Sequence, residues 1–231
     1  VSQVEVNAAL GLVAIAVGGE SPFVEVLDLD GESLRRIDRE LFVWQLEFHD
    51  TRPLLAIGHG QLEAAQVVDV DTGEEGPPLA TGRGVVFGAG SLAWVGDELL
   101  IASARSLAVV DPVTADFVAE PVETSGSFQG AGFLIPTPDG VIVRGSEGPI
   151  QRYKDGSLET LIDDDQLGVT SAATAISGEG QLLVADNAGG MHAYDLGRLP
   201  LLAHARIDGP FHAAELDDCL LYTSDAADEW L

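Results

Sequence analysis

Residues 65–75, AQVVDVDTGEE, hold the unit that decides the fold: an apolar strand that ends on Asp69 and runs into a polar turn. The same unit returns in VEVLDLDGES, SLAVVDPVTAD, PIQRYKDGS and MHAYDLGRL. The equivalent residues, at steps of 41, 42, 43 and 41, are Asp28, Asp69, Asp111, Lys154 and Asp195. A four-stranded antiparallel unit with its turns needs roughly 40–45 residues, so the period predicts one such unit per repeat.

A second set of segments, the most apolar of the chain, precedes each of these units. They lie at 12–18, 54–60, 98–104, 141–148 and 181–189. Short runs rich in Val, Ile and Leu and bounded by Gly, Asp and Pro predict strands within a packed sheet. The fourth strands are weaker in pattern, as in SLRRID and FVAEPV. No segment keeps a helical period with caps, so we predict an all-β chain.

Each repeat thus predicts four strands, a to d, which must pack against neighbouring repeats to bury their apolar faces. Five units are complete, and GPFHAAELDD at 209–218 begins a sixth. We predict a β-propeller of four-stranded blades of about 42 residues, truncated before closure, with strand a of each blade lining the central channel. The unpaired blade edges of such a fragment predict self-association in isolation.

The pairs that end the third strands resemble the Trp-Asp pair of WD-repeat and YVTN-type propellers. They are Leu27-Asp28, Val68-Asp69, Val110-Asp111, Tyr153-Lys154 and Tyr194-Asp195. The Trp is absent throughout, and TGRG at 81–84 stands where a Gly-His pair is expected. The resemblance extends over nearly the whole chain. It implies a non-catalytic scaffold for protein–protein interaction within a larger bacterial signalling or regulatory protein.

The C-terminal segment has a different character. CLLYTSDAADE, Cys219–Glu229, resembles the translation of a sequencing adapter read through into an open frame. We therefore expect a partial propeller domain at 1–218 and a non-native tail at 219–231. The alternative is a genuine b strand, CLLYTS, after an Asp-Asp turn. With Val1 in place of an initiating Met, the tail predicts a fragment of a metagenomic gene.

The charge of the chain excludes some partners. Asp and Glu total 38 against 11 Lys and Arg, for a net charge of −27. Such a surface repels phosphate backbones and anionic membranes, so we expect no nucleic-acid partner.

No apolar run reaches 18 residues, which argues against membrane insertion. A single cysteine is compatible with a reducing cytoplasm, where we place the protein. Adaptation to high salt and a GC-rich genome both explain the scarcity of Lys.

Motifs that could carry chemistry are few. Residues 69–73, DVDTG, begin like a calcium loop but lack the third oxygen ligand and the closing Glu, so a solvated turn is favoured. The acidic run Asp163–Asp165 and the glycines at 82–84 are interpreted in the same way, as loops. The five histidines show no i, i+4 pair, and no nucleophile elbow is present. We predict no catalytic residue, no cofactor and no metal.

In a propeller, the d–a and b–c loops share one rim, and that rim is our candidate interaction surface. Its members are His59, Arg105, Phe128, Gln129, Glu147 and Asn187. The expected partner is another protein or another domain of the parent chain. The alternative is a propeller enzyme or small-ligand sensor with a site at the channel mouth. Three aromatic residues of predicted a strands, Trp44, Trp94 and Phe133, are either binding anchors or packing between blades.

Overall fold

The structure, a computed structural model, describes residues 1–59, 65–79, 91–103, 106–124, 133–137, 139–145, 148–163, 171–176, 181–186, 190–195, 201–206, 214–217 and 220–223. Within these ranges every regular element is a β-strand, so the all-β prediction is confirmed. Among the described residues, no helix has the length and apolarity to cross a membrane.

In the described part of the chain, 21 strands form successive antiparallel sheets, in which strands pair in chain order. The first sheet contains β1 (Gln3–Asn7), β2 (Leu12–Val17), β3 (Phe23–Asp28) and β4 (Ser33–Asp38). The second contains β5 (Val43–Phe48), β6 (Leu54–His59) and β7 (Ala65–Asp69). The third contains β8 (Leu92–Val95), β9 (Glu98–Ser103), β10 (Ser106–Val110) and β11 (Val122–Glu123).

The remaining sheets repeat the pattern. The fourth contains β12 (Phe133–Thr137), β13 (Gly140–Arg144), β14 (Ile150–Lys154) and β15 (Ser157–Ile162). The fifth contains β16 (Ser171–Ile176), β17 (Gln181–Asp186), β18 (Gly190–Asp195) and β19 (Leu201–Arg206). A final hairpin joins β20 (Ala214–Asp217) to β21 (Leu220–Thr223). This hairpin fits both a genuine sixth unit and an apolar foreign tail, so the non-native tail stays a prediction.

The predicted a, b and c strands are confirmed, whereas two of the d strands are shorter than expected. In the second sheet the fourth position is reduced to two bridges, Ala65–Leu79 and Val68–Glu75. Pro77 and Pro78 interrupt this segment, and proline has no N–H for the ladder. In the third sheet FVAEPV gives only a bridge at Phe117 and the two residues of β11.

The repeated aspartate after the third strand has a structural explanation. One carboxylate oxygen of Asp28 accepts hydrogen bonds from the backbone N–H groups of Asp30 and Glu32, at 3.0 and 2.8 Å. Asp111 accepts from Val113 and Thr114 at 2.7 and 3.2 Å in the same way. These are Asx turns, in which a short side chain replaces a backbone acceptor.

The fourth repeat departs from this pattern because its turn is different. Lys154 pairs directly with Ser157, and the two residues between them, Asp155 and Gly156, have φ angles of +50° and +78°. Two positive φ angles in an Asp-Gly loop are typical of a type I′ hairpin. Such a turn closes through the backbone, so no carboxylate is needed at position 154.

The core lies between successive sheets. Neighbouring residues along a b strand point to opposite faces of the sheet, so each b strand contributes to two separate apolar clusters. In β6, Leu55 and Ile57 pack with the first sheet, whereas Ala56 packs with the third. In β9, Leu100 joins residues of the fourth sheet while Leu99 joins those of the second. The b strands are thus buried on both faces, which explains why they are the most apolar segments. The first strands of consecutive sheets, β1, β5, β8 and β12, lie side by side.

Candidate functional site

Only one of the six predicted rim residues can be placed. His59 is the last residue of β6, pairs with Val43 across the sheet and is a buried residue, only 6% exposed. Burial and the nearby Arg39 guanidinium lower the pKa of His59 to about 4, so its imidazole is neutral at pH 7. The other five, Arg105, Phe128, Gln129, Glu147 and Asn187, lie outside the described residues.

Arg39 follows β4 and lies beside His59 in a small cavity. Its Nη1 donates to Gln66 Oε1 at 3.1 Å and to Glu75 Oε2 at 2.9 Å. The Arg39 side chain is 8% exposed. Its Nε and Nη2 atoms and His59 Nδ1 are buried, and within the described part of the chain none of the three has a hydrogen-bond partner. The cavity measures about 180 Å³, and Glu40 and Leu41 complete its mouth. Buried donors are therefore concentrated around an internal space.

A pair of exposed aromatic rings lies next in the chain. Phe42 and Trp44 are 43% and 41% exposed, and their ring centroids are 4.8 Å apart in an edge-to-face arrangement. The β5–β6 register shifts between Val43 and Gln45, so Trp44 is the extra residue of a β-bulge. Bulges redirect side chains away from the regular pleat. The backbone irregularity thus presents Trp44 to solvent.

The other two aromatic residues that the sequence singled out are packed within the molecule. Trp94 is buried, donates from Nε1 to Glu47 O at 3.1 Å and contacts the His49 ring at a centroid distance of 4.9 Å. Phe133 is partly buried against the cluster between the fourth and fifth sheets. Core packing accounts for Trp94 and Phe133, and Trp44 remains the candidate anchor.

Two carboxylates interact between the neighbouring inner strands β1 and β5. Burial, and next the negative charge of Glu5, raise the pKa of Glu47 to about 8, although Gln45 donates a hydrogen bond to its carboxylate at 3.3 Å. Burial also raises the pKa of Glu5. A carboxyl group that is half-protonated near neutral pH is suited to proton transfer. Only the approach of the two sheets creates this pair, so no local motif predicted it.

The opposite ends of the strands form an acidic cleft of about 560 Å³ between the second and third sheets. Its carboxylates come from the a–b and c–d turns: Asp69, Glu74, Glu75, Asp97, Glu98 and Asp111. The cation that lines it, Arg52, donates to Asp97 at 2.9 Å and is the main cause of the lowered pKa of Asp97. Across the described ranges, no three His, Cys, Asp or Glu residues are grouped closely enough to hold a metal ion.

Comparison with known proteins identifies the architecture. No protein-family model and no curated protein matches the sequence. The computationally designed Ika8 protein superimposes with a TM-score of 0.72 at 17% identity, covering 92% of this chain and 64% of that one. The C-terminal WD40 domain of Sif2 gives 0.72 at 12% identity, with coverages of 93% and 60%. The fold is that of a WD40-like propeller. The chain spans less than two thirds of both structures.

The propeller arrangement assigns the sites to two rims. The d–a and b–c loops carry Arg39, Phe42 and His59, so the rim chosen from sequence holds both the aromatic pair and the buried donors. The acidic cleft lies at the other rim, which sequence reasoning had not selected. The signal for Arg39 was present, as a cation directly after a d strand. Its burial depended on the second sheet.

Proposed function

We propose that this chain is a non-catalytic module that binds a protein, or another domain of its parent chain, through the rim that carries Phe42 and Trp44. One observation carries the proposal: two large aromatic side chains are exposed together by a bulge on an otherwise rigid sheet. Exposed aromatic residues at the centre of a surface are the commonest binding hot spots. A rigid scaffold displays them at little entropic cost.

The charge of the molecule indicates the kind of partner. With a net charge of −27, the chain attracts cationic surfaces over several ångströms and repels acidic ones. We therefore expect an apolar anchor segment flanked by Lys or Arg.

A peptide-display selection against the folded chain tests this function. We expect the selected peptides to combine an aromatic or aliphatic anchor with basic residues. Their affinity should fall at least tenfold for a Phe42→Ala/Trp44→Ala double variant. Phe117→Ala is the matched control, because Phe117 is 45% exposed on another sheet. Equal binding to the wild type and the double variant would contradict the proposal.

Glu47 favours a second candidate function, an enzyme or small-ligand sensor at the channel mouth. A carboxyl group with a pKa of about 8 beside Glu5 could exchange a proton with a bound molecule near neutral pH. The supporting result would be a small molecule whose binding shifts the titration of Glu47 and is lost in Glu47→Gln. Binding that is unchanged in Glu47→Gln would eliminate this candidate.

A further inference from the structure

We propose that the cavity between Arg39 and His59 is a binding site for a carboxylate group. The guanidinium of Arg39 uses Nη1 for Gln66 and Glu75, while Nε and Nη2 are buried and have no hydrogen-bond partner among the residues that the structure describes. A buried donor that lacks an acceptor is destabilising, and more so when it is charged. An occupant that supplies acceptors would remove this penalty, and the cavity lies where such an occupant fits.

The geometry of the free atoms selects the ligand class. Nε and Nη2 form one edge of the planar guanidinium, and this edge matches the two oxygens of a carboxylate in a bidentate pair. His59 Nδ1 adds a third donor when its ring carries the proton there. A volume of about 180 Å³ leaves ample room for an acetate-sized group.

The charge around the cavity favours a monoanion. Glu75 already neutralises part of the charge on Arg39, and Glu40 is among the residues that line the cavity. A phosphate dianion would meet these two carboxylates with a single guanidinium to compensate for them. A carboxylate adds one negative charge and uses both free donors. The carboxylate can belong to a small free acid or to a peptide, and the site stands independently of protein binding at Trp44.

NMR titration of the full chain with acetate, followed at the ring resonances of His59, tests the site. We expect saturable shifts with acetate, and an affinity at least tenfold weaker for acetamide, which has the same shape without the charge. Arg39→Met should weaken acetate binding at least tenfold. Arg36→Met is the matched control on β4, because Arg36 is exposed and pairs with Asp38. It should bind acetate like the wild type.

Triglycine and its C-terminal amide distinguish the two sources of carboxylate. Tighter binding of triglycine than of acetate, lost on amidation, supports a peptide terminus, whereas tighter binding of acetate supports a small acid. Three results overturn the proposal: no saturable shift, equal affinity for acetate and acetamide, or unchanged binding by Arg39→Met. The first would mean that water alone fills the cavity. If Arg39→Met does not fold, the acetate–acetamide comparison in the wild type decides.

Discussion

The boundary between the first and second sheets is closed at its outer edge, whereas that between the second and third sheets is open there. At the first boundary, Arg35 donates from Nε to Val70 O at 2.6 Å and from Nη2 to Asp71 O at 2.8 Å. One repeat later the place of Arg35 is taken by Gly76, and the acidic cleft opens beside it. Arg35 therefore joins the first two sheets at their outer edge, whereas the equivalent Gly76 has no side chain that could join the second sheet to the third.

The boundary between the second and third sheets is held instead at its inner edge, where β5 lies beside β8. Gln45 is buried, and its Oε1 accepts from the backbone N–H groups of Ser91 and Leu92 at 2.6 and 2.9 Å. Its Nε2 donates to Leu92 O at 3.1 Å. One side-chain amide thus joins β5 to the beginning of β8. The second and third sheets are therefore joined near their first strands, while the acidic cleft separates them at the outer ends.

Among the substitutions that test this comparison, the replacement of Gln45 should change the free energy of unfolding most. Gln45→Leu removes the acceptor for two buried N–H groups, so we expect a loss of about 3 kcal/mol in the free energy of unfolding. Urea unfolding measures it. Gln3→Leu, on the half-exposed β1, serves as the control and should change the value by less than about 0.5 kcal/mol. A loss as small as that of the control would show that Gln45 does not hold the second boundary.

Glu47→Gln should stabilise the boundary between the first and second sheets, and the gain in stability should depend on pH. The pKa of Glu47 is about 8 in the folded chain and near its ordinary 4.5 when unfolded, so the native state binds the extra proton between these values. Stability therefore falls as pH rises from about 4.5 to about 8. Allowing for solvent screening, we expect Glu47→Gln to add about 2 kcal/mol at pH 8 and nothing below pH 4.

Denaturant unfolding at pH 5 and pH 8 checks this sign. Glu32→Gln, in an exposed turn, is the control and should leave the difference between the two pH values unchanged. A gain from Glu47→Gln that is equal at both pH values would mean that proton binding by Glu47 is not its cause.

Arg35→Met should open the closed boundary at a smaller cost. It removes two hydrogen bonds to backbone carbonyl groups while it keeps much of the aliphatic stem, so we expect a loss of about 1.5 kcal/mol. Hydrogen exchange should show faster exchange at the turn that contains Val70 and Asp71. Arg36→Met, its exposed neighbour, is expected to cost about 0.5 kcal/mol. Equal losses in the two variants would contradict a special role for Arg35.

The smallest expected loss of stability comes from substitutions in the turns that border the cleft. Asp111→Ala removes the acceptor of an Asx turn, which we expect to cost about 1 kcal/mol. Lys154 occupies the equivalent position in a turn that is closed by the backbone. For Lys154→Ala we therefore expect the free energy of unfolding to change by less than about 0.3 kcal/mol. Thermal unfolding of both variants measures the difference. A similar shift in both would refute the explanation given for the repeated aspartate.

Much of the fold could be predicted because its causes are local. The b strands are recognisable from their apolar composition, and each of them is a strand in the structure. The fourth strand of the second sheet is shorter than the repeat predicts, because Pro77 and Pro78 reduce it to two bridges. For the site, the sequence predicted His59 as a rim residue from its place in a b–c loop. In the structure His59 is buried and lines the cavity beside Arg39. The other five rim residues stay predictions.

The 42-residue period and the alternation of apolar residues were sufficient for the strands, their order and the aspartate turns, because those depend on neighbours in the chain. Three features arise only when sheets pack: the raised pKa of Glu47, the cavity beside Arg39 and the cleft beside Gly76. Each joins residues of two different repeats. Burial and electrostatic interaction act through space, and the distances that set them do not exist until the sheets meet.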